Sequence, residues 1–128
     1  MARVNKVIVG AHAVMANGGL IATAGSHMVA LAAQQHAVPL VVCAGLYKLT
    51  PMFPSGAEQF NVLRSPMPML PYEEGLQGVH VPNPARDYVP PELVSLFITN
   101  IGGNHASYIY RLLSEYYHQE DYHIFNTE

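Results

Sequence analysis

The chain predicts an α/β fold, an open and mostly parallel sheet flanked by helices, on three observations. Short continuous apolar runs at residues 6–10, 39–44 and 96–99 have the composition of strands buried on both faces. The first two runs are separated by a stretch with apolar residues at helical spacing. Strand, crossover helix and strand within about forty residues make a βαβ unit, right-handed and parallel. Third, 128 residues suffice for one well-buried core but not for two ordinary domains.

Each element follows from local chemistry. Lys6-Val-Ile-Val-Gly10 is the first strand, followed by a loop that ends in Asn17-Gly18-Gly19. From Leu20 a helix is expected to run to about His36, because Ile21, Ala24, Met28, Leu31 and Ala32 recur at three and four. Gly25 inside such a helix costs about 1 kcal/mol against alanine, which close packing on a neighbour would explain. Ala37-Val-Pro39 stops the helix and the second strand follows. Residues 46–78 carry Pro51, Pro54, Pro66, Pro68 and Pro71 with Gly56, Gly75 and Gly78, so an irregular excursion is expected. Its methionines, phenylalanines and leucines are too many for a solvated linker, and it should fold against the domain or a partner.

Val79–Val81 is expected to be a strand, and Pro82 to Pro91 a loop pinned by four prolines. Pro91 opens a short helical turn, where its missing N–H is not needed. Leu96–Thr99 is a strand, Gly102-Gly103 a turn, and Asn104 a cap for the last helix. On that helix Tyr108, Ile109, Leu112, Leu113 and Tyr116 form an apolar stripe, whereas Tyr110 and Tyr117 fall on another side. Residues 118–128 read as a polar, frayed tail.

Composition excludes several function classes. Six Lys+Arg and a net charge of −3 leave no basic footprint for nucleic acid. No run approaches the ~20 apolar residues that span a bilayer, so neither a membrane nor a direct nucleic-acid partner is expected. Half the residues are apolar and only 12% charged, against about a quarter in ordinary domains, which predicts surface that something covers. The single Cys43, in Pro39-Leu-Val-Val-Cys-Ala44, reads as a buried, unreactive thiol in a reducing, cytoplasmic compartment. An apolar strand so close to Met1 is expected of a piece of a longer chain.

Motifs narrow the chemistry further. Asn17-Gly18-Gly19 at a helix start would offer free N–H groups and a positive dipole end to an anion, although the same glycines could simply turn the chain. The spacing is neither GxGxxG nor GxxxxGK, which disfavours a dinucleotide or a nucleoside triphosphate. His12, His27, His36, His80, His105, His118 and His123 are scattered, so no metal and no other cofactor is expected. No serine sits in a GxSxG elbow. Asp87 is either a positioned acid or a loop brace. Tyr110 and Tyr117 on an off-core helix face beside Arg111 have the make-up of a protein interface centre.

Two longer signatures carry a resemblance. Val9-Gly-Ala-His-Ala-Val-Met-Ala-Asn-Gly-Gly-Leu20 with Gly25-Ser26, and Asn83-Pro-Ala-Arg-Asp-Tyr-Val-Pro-Pro-Glu-Leu93 with Ile98-Thr99, resemble the signatures of isomerases acting on methylthioribose-1-phosphate and ribose-1,5-bisphosphate. Within that superfamily the chain is most similar to the alpha, beta and delta subunit family of translation initiation factor 2B. Residues 87–104, Ser107-Tyr-Ile-Tyr-Arg-Leu112 and Lys48-Leu-Thr-Pro-Met-Phe-Pro54 support that choice. The isomerases carry a catalytic Asp where this chain has Gly19, their Asn and Lys become Ala22 and Thr23, and their catalytic Cys lies upstream of anything present.

The resemblance therefore implies a Rossmann-like C-terminal domain over 1–128, separated from an N-terminal helical part. It implies a non-catalytic regulatory subunit of the guanine-nucleotide exchange factor for initiation factor 2, partnered by the delta and alpha subunits. Such a subunit senses phosphorylation of the alpha subunit of initiation factor 2. Asn17, Gly18, Gly19, Gly25, Ser26 and Asp87 would then line a vestigial crevice with no catalytic residue, and Tyr108, Tyr110, Arg111 and Tyr117 a subunit interface. An isolated fragment could pair with itself. The competing reading is a sugar-phosphate isomerase or sugar-phosphate-binding domain, with Asn17, Gly18 and Asp87 retained for the ligand.

Overall fold

The computed structural model describes residues 1–54, 62–74 and 77–122. Its principal sheet is built from Val7–Gly10 (β1), Leu40–Cys43 (β4), Leu96–Thr99 (β6) and Gly102–Asn104 (β7), in the order β1-β4-β6-β7. The first three are parallel, with Val9 opposite Val42 and Val42 opposite Phe97. The short β7 returns antiparallel to β6. Val7, Val9, Leu40, Val42 and Phe97 share one face, which packs into the main core with Ala30, Ile109, Leu112 and Leu113. The expected α/β architecture and all three apolar runs are present.

A second sheet was not legible in the sequence. Ala13–Val14 (β2), Leu20–Thr23 (β3) and Arg86–Val89 (β5) form an antiparallel sheet in the order β2-β3-β5. Leu20–Thr23 is thus a strand and not the first turn of the helix. Its β-branched Ile21 and Thr23 suit a pleated surface, and it pairs with strands on both sides. Ser26–Gln35 (α1) begins only after Gly25, whose φ of 98° lies in the left-handed region. Gly25 is therefore the residue that ends β3 and starts the helix, and no neighbour crowds the place of its missing Cβ. The packing explanation for this glycine is replaced by a conformational one.

The phase of α1 also differs from the apolar spacing. Ala30 and Ala33 are the buried residues of the helix, while Met28 (72% exposed) and Leu31 (49%) face outward. Small side chains let the helix approach the sheets closely, and its start at Ser26 fixes which residues turn inward.

β5 lies where a proline-pinned loop was expected, and Val79–Val81 is not a strand. Pro84 and Pro90 flank β5 without entering it, and β5 is an edge strand, where prolines at the margins remove no ladder bond. Pro91–Leu93 forms the expected helical turn. Gly102 and Gly103 belong to β7, not to a turn, and Asn104 ends that strand instead of capping a helix. A 3-10 turn at Ala106–Tyr108 runs straight into Ile109–Tyr116 (α2) with no side-chain cap. The excursion is irregular as expected, with 3-10 turns at Leu46–Lys48 and Tyr72–Glu74. Residues 55–61 of it, holding Gly56, and residues 75–76, holding Gly75, lie outside the described residues. In the tail Gln119–Tyr122 makes a 3-10 turn, begun by a bond from His118 N to Asp121 Oδ2 (3.0 Å). The tail from His123 onward lies outside the described residues. Cys43 is exposed, not buried, because it closes β4 on the less covered side of the principal sheet.

Candidate functional site

Asn17-Gly18-Gly19 is the turn of the β2–β3 hairpin, so it does not stand at a helix N-terminus. The hairpin uses the donors that an anion would want. Gly18 N–H donates to Met15 O (2.9 Å) and Gly19 N–H to Asn17 Oδ1 (2.9 Å), while Met15 N–H returns to Gly19 O (2.8 Å). Gly18 is required twice over. Its φ is 83°, and a Cβ there would lie 2.5 Å from the Ala106 carbonyl oxygen. The turn is thereby wedged against the segment that leads into α2.

The true helix start is 62 residues in sequence from the group that serves it. Asp87 Oδ2, from β5, accepts from Gly25 N–H (2.7 Å) and His27 N–H (3.2 Å). α1 has no acidic residue in its first turn and Gly25 has no side chain to cap with, so Asp87 supplies both the acceptor and the negative charge that the dipole favours. Of the two readings left open for Asp87, the brace is the one its bonds describe. Ser26 is the first residue of α1 and lies beside this cap.

The residue that sequence reasoning missed is Tyr88. It follows Asp87 on β5, sits opposite Ile21, and therefore faces the other side of the small sheet. Its hydroxyl accepts from Asn17 Nδ2 (2.7 Å). A Cβ at Gly19 would meet Tyr88 Oη at 2.5 Å and Cε2 at 2.6 Å. The only signal in the sequence was the alternation within Arg86-Asp-Tyr-Val89, which four prolines disguised. The crevice thus brings together Asn17, Gly18 and Gly19 with Tyr88, while Gly25, Ser26 and Asp87 form a separate cap across β3 and β5. Proton transfer on a substrate requires a positioned acid and base. Of the ionisable groups here, the Asp87 carboxylate is committed through Oδ2 to the helix start and the Tyr88 phenol is bonded to Asn17.

The tyrosine face divides differently from its helical spacing. Tyr110 is exposed, with Phe53 and Tyr122 rings each 6.1 Å from its own. The Arg111 guanidinium lies 5.8 Å from the centre of the Tyr108 ring. Tyr117 is half-buried, packs on the core and donates its hydroxyl to Leu49 O (2.7 Å). Tyr116, assigned to the apolar stripe, is exposed, because Ile109, Leu112 and Leu113 already fill the buried face. Among the described residues no three His, Cys, Asp or Glu side chains gather as a metal would need, and no helix is long and apolar enough to cross a membrane.

Fold and site together define a Rossmann-like α/β domain whose glycine turn is closed by its own side chains. The chain belongs to the initiation factor 2 subunit family, whose model matches residues 1–106. It is 61% identical over 123 residues to translation initiation factor eIF2B subunit beta of Dictyostelium discoideum, covering 94% of this chain and 32% of that protein. Among solved structures it resembles 5-methylthioribose 1-phosphate isomerase from Pyrococcus horikoshii, with TM-score 0.73 and 29% identity over 89% of this chain and 33% of that one. It also resembles a chain of the tetrameric eIF2B-beta2-delta2 complex from C. thermophilum, with TM-score 0.65 and 31% identity, covering 90% of this chain and 32% of that one. The chain thus spans about a third of the length of the relatives it matches.

Proposed function

We propose that this chain is the C-terminal domain of a beta-type subunit of the exchange factor for translation initiation factor 2, a non-catalytic part that acts by assembly. The single observation that carries this reading is the 61% identity to a beta subunit over nearly the whole chain. The resemblance to a chain of the eIF2B-beta2-delta2 tetramer supports the delta subunit as its first partner, and the alpha subunit belongs to the same proposed assembly. Within such an assembly the domain contributes to sensing the phosphorylated alpha subunit of initiation factor 2, in the cytoplasm. Tyr108, Tyr110 and Arg111 offer an exposed aromatic and cationic surface for the contact, and Tyr117 holds that helix to the core through Leu49. The chemistry at the turn supports the non-enzymatic reading, since Gly19 carries no acid and Asp87 is occupied at the helix start.

Co-expression of the full-length protein with the delta subunit tests this. Co-purification is expected, and Tyr110→Ala with Arg111→Ala should weaken it at least tenfold, a loss within the range of interface hot spots. A stable monomer that ignores delta would overturn the reading. The alternative, a sugar-phosphate isomerase, is favoured by the TM-score of 0.73 to the methylthioribose enzyme. Turnover of methylthioribose-1-phosphate by the intact protein would decide for it.

A further inference from the structure

The last helix and the turn after it leave a notch walled by aromatic rings. A cavity of about 340 Å³ is lined by Phe53, Tyr110, Ser114, Tyr117, Gln119 and Tyr122, at the small end of ligand sites and a size for one side chain. Tyr110, Ser114 and Tyr117 follow one another at four and three residues and so share a face of α2. Phe53 enters from the excursion and Tyr122 from the Gln119–Tyr122 turn. Each of these two rings lies 6.1 Å from that of Tyr110, tilted against it by 48° and 55°. Rings tilted in this way are not stacked, so their π faces are not occupied by one another. We propose that the notch receives an arginine side chain of a partner protein, held over these faces.

Charge selects the occupant. From Leu112 to Tyr122 the chain carries Glu115, Glu120 and Asp121 and neither Lys nor Arg. Each acid is the sequence neighbour of a lining residue, Ser114, Gln119 or Tyr122. The one arginine of α2, Arg111, lies over the Tyr108 ring at 5.8 Å and does not line the notch. His118 stands 3.9 Å from Glu120 and offsets its charge only when protonated. Burial, and then Tyr110, Asp121 and Tyr117, raise the Tyr122 phenol above its ordinary value, so the notch already resists negative charge. Electron-rich ring faces among acids suit a cation, and the planar, weakly hydrated guanidinium stacks on such faces better than an ammonium group does. That the arginine comes from another subunit rests on the assembly reading above, whereas the preference for a cation rests on the notch alone.

Two probes that share a shape and differ in charge test this: N-acetyl-arginine amide and N-acetyl-citrulline amide, each titrated into the intact protein with 13C-labelled tyrosine rings. The ring signals of Tyr110 and Tyr122, identified by their loss in Tyr110→Phe and Tyr122→Phe, should move with both. The arginine form should bind about twofold to fivefold more tightly, the range of a cation–π contact at an exposed site. Tyr110→Leu, which keeps apolar bulk and loses the π face, should abolish that preference as read at Tyr122. Phe53→Leu, which should reduce it, serves as a second variant should Tyr110→Leu disturb folding. Equal binding of the two probes would reduce the notch to an apolar contact and overturn the proposal. So would silence of both tyrosines, or a preference that survives Tyr110→Leu. Failure of the delta subunit to co-purify would sink the assembly reading and leave an observed arginine preference standing, while co-purification without that preference would do the reverse.

Discussion

At the scale of single residues, the glycines separate into kinds that one letter hides. Gly18 combines a φ of 83° with a backbone oxygen 2.5 Å from its absent Cβ. Gly18→Ala should therefore destabilise by about 2–4 kcal/mol in urea unfolding, adding left-handed strain to a clash that no side-chain rotation relieves. Gly25, with φ 98° and open space around it, should cost only about 1 kcal/mol on the same change. Asp87 gives a parallel contrast. Asp87→Ala removes the acceptor for Gly25 and His27 N–H groups and should cost about 1–3 kcal/mol, while Asp87→Asn, which keeps an acceptor oxygen and loses the charge, should cost about 1 kcal/mol or less. The sequence showed that these residues mattered but not how. The partner of Asp87 lies 62 residues away and the partner of Gly18 is a backbone atom, and local spacing cannot reveal either.

At the scale of elements, α1 explains why helical spacing located a helix and misjudged its contents. Met28, Leu31 and Ala32 do recur at three and four, yet the inward residues are Ala30 and Ala33. Hydrophobicity alone cannot distinguish a face that is buried from a face that is merely apolar, and here closeness of approach chose the smaller one. Ala33→Leu should thus destabilise by about 1–3 kcal/mol, whereas Leu31→Glu should stay within about 0.5 kcal/mol; chemical denaturation of both variants checks the phase. The helix ends on Ala37 with φ 53°, where Val38 N–H bonds back to Ala33 O at 2.8 Å. Glycine is the usual residue in that position, so Ala37→Gly should stabilise by about 0.5 kcal/mol, strain relief exceeding the added chain entropy. The strands β1, β4 and β6 were legible because continuous apolar runs leave little alternative. β3 and β5 were not, since a four-residue strand beside a helix shares its apolar spacing and prolines mask its neighbour.

At the scale of the molecule, the principal sheet is covered on one side and only in part on the other, where Val41 is 5% exposed between its neighbours. The face opposite the core carries Ile8 (65% exposed), Cys43, Leu96 and Ile98 (43% exposed), in register as Ile8 with Val41 and Leu96, and Cys43 with Ile98. Parallel sheets are normally buried on both faces, and exposed apolar patches of this kind draw partners. The 128-residue chain by itself should therefore self-associate, and Ile8→Thr with Ile98→Thr should shift it toward monomer in sedimentation velocity. An unchanged monomer–dimer balance would show that this face takes no part. The sparse charge of the sequence anticipated covered surface, but only the register placed it on this side of β1, β4 and β6.

Cys43 turns that part-covered face into its own instrument. It is the one thiol in the chain, it is exposed, and it lies in the ladder between Gly10 and Ile98. A maleimide dye should label it at full stoichiometry in the free domain and slow sharply once any surface closes over the sheet. Labelling time courses would then report coverage of this face directly, without a tag, an antibody or a mutation.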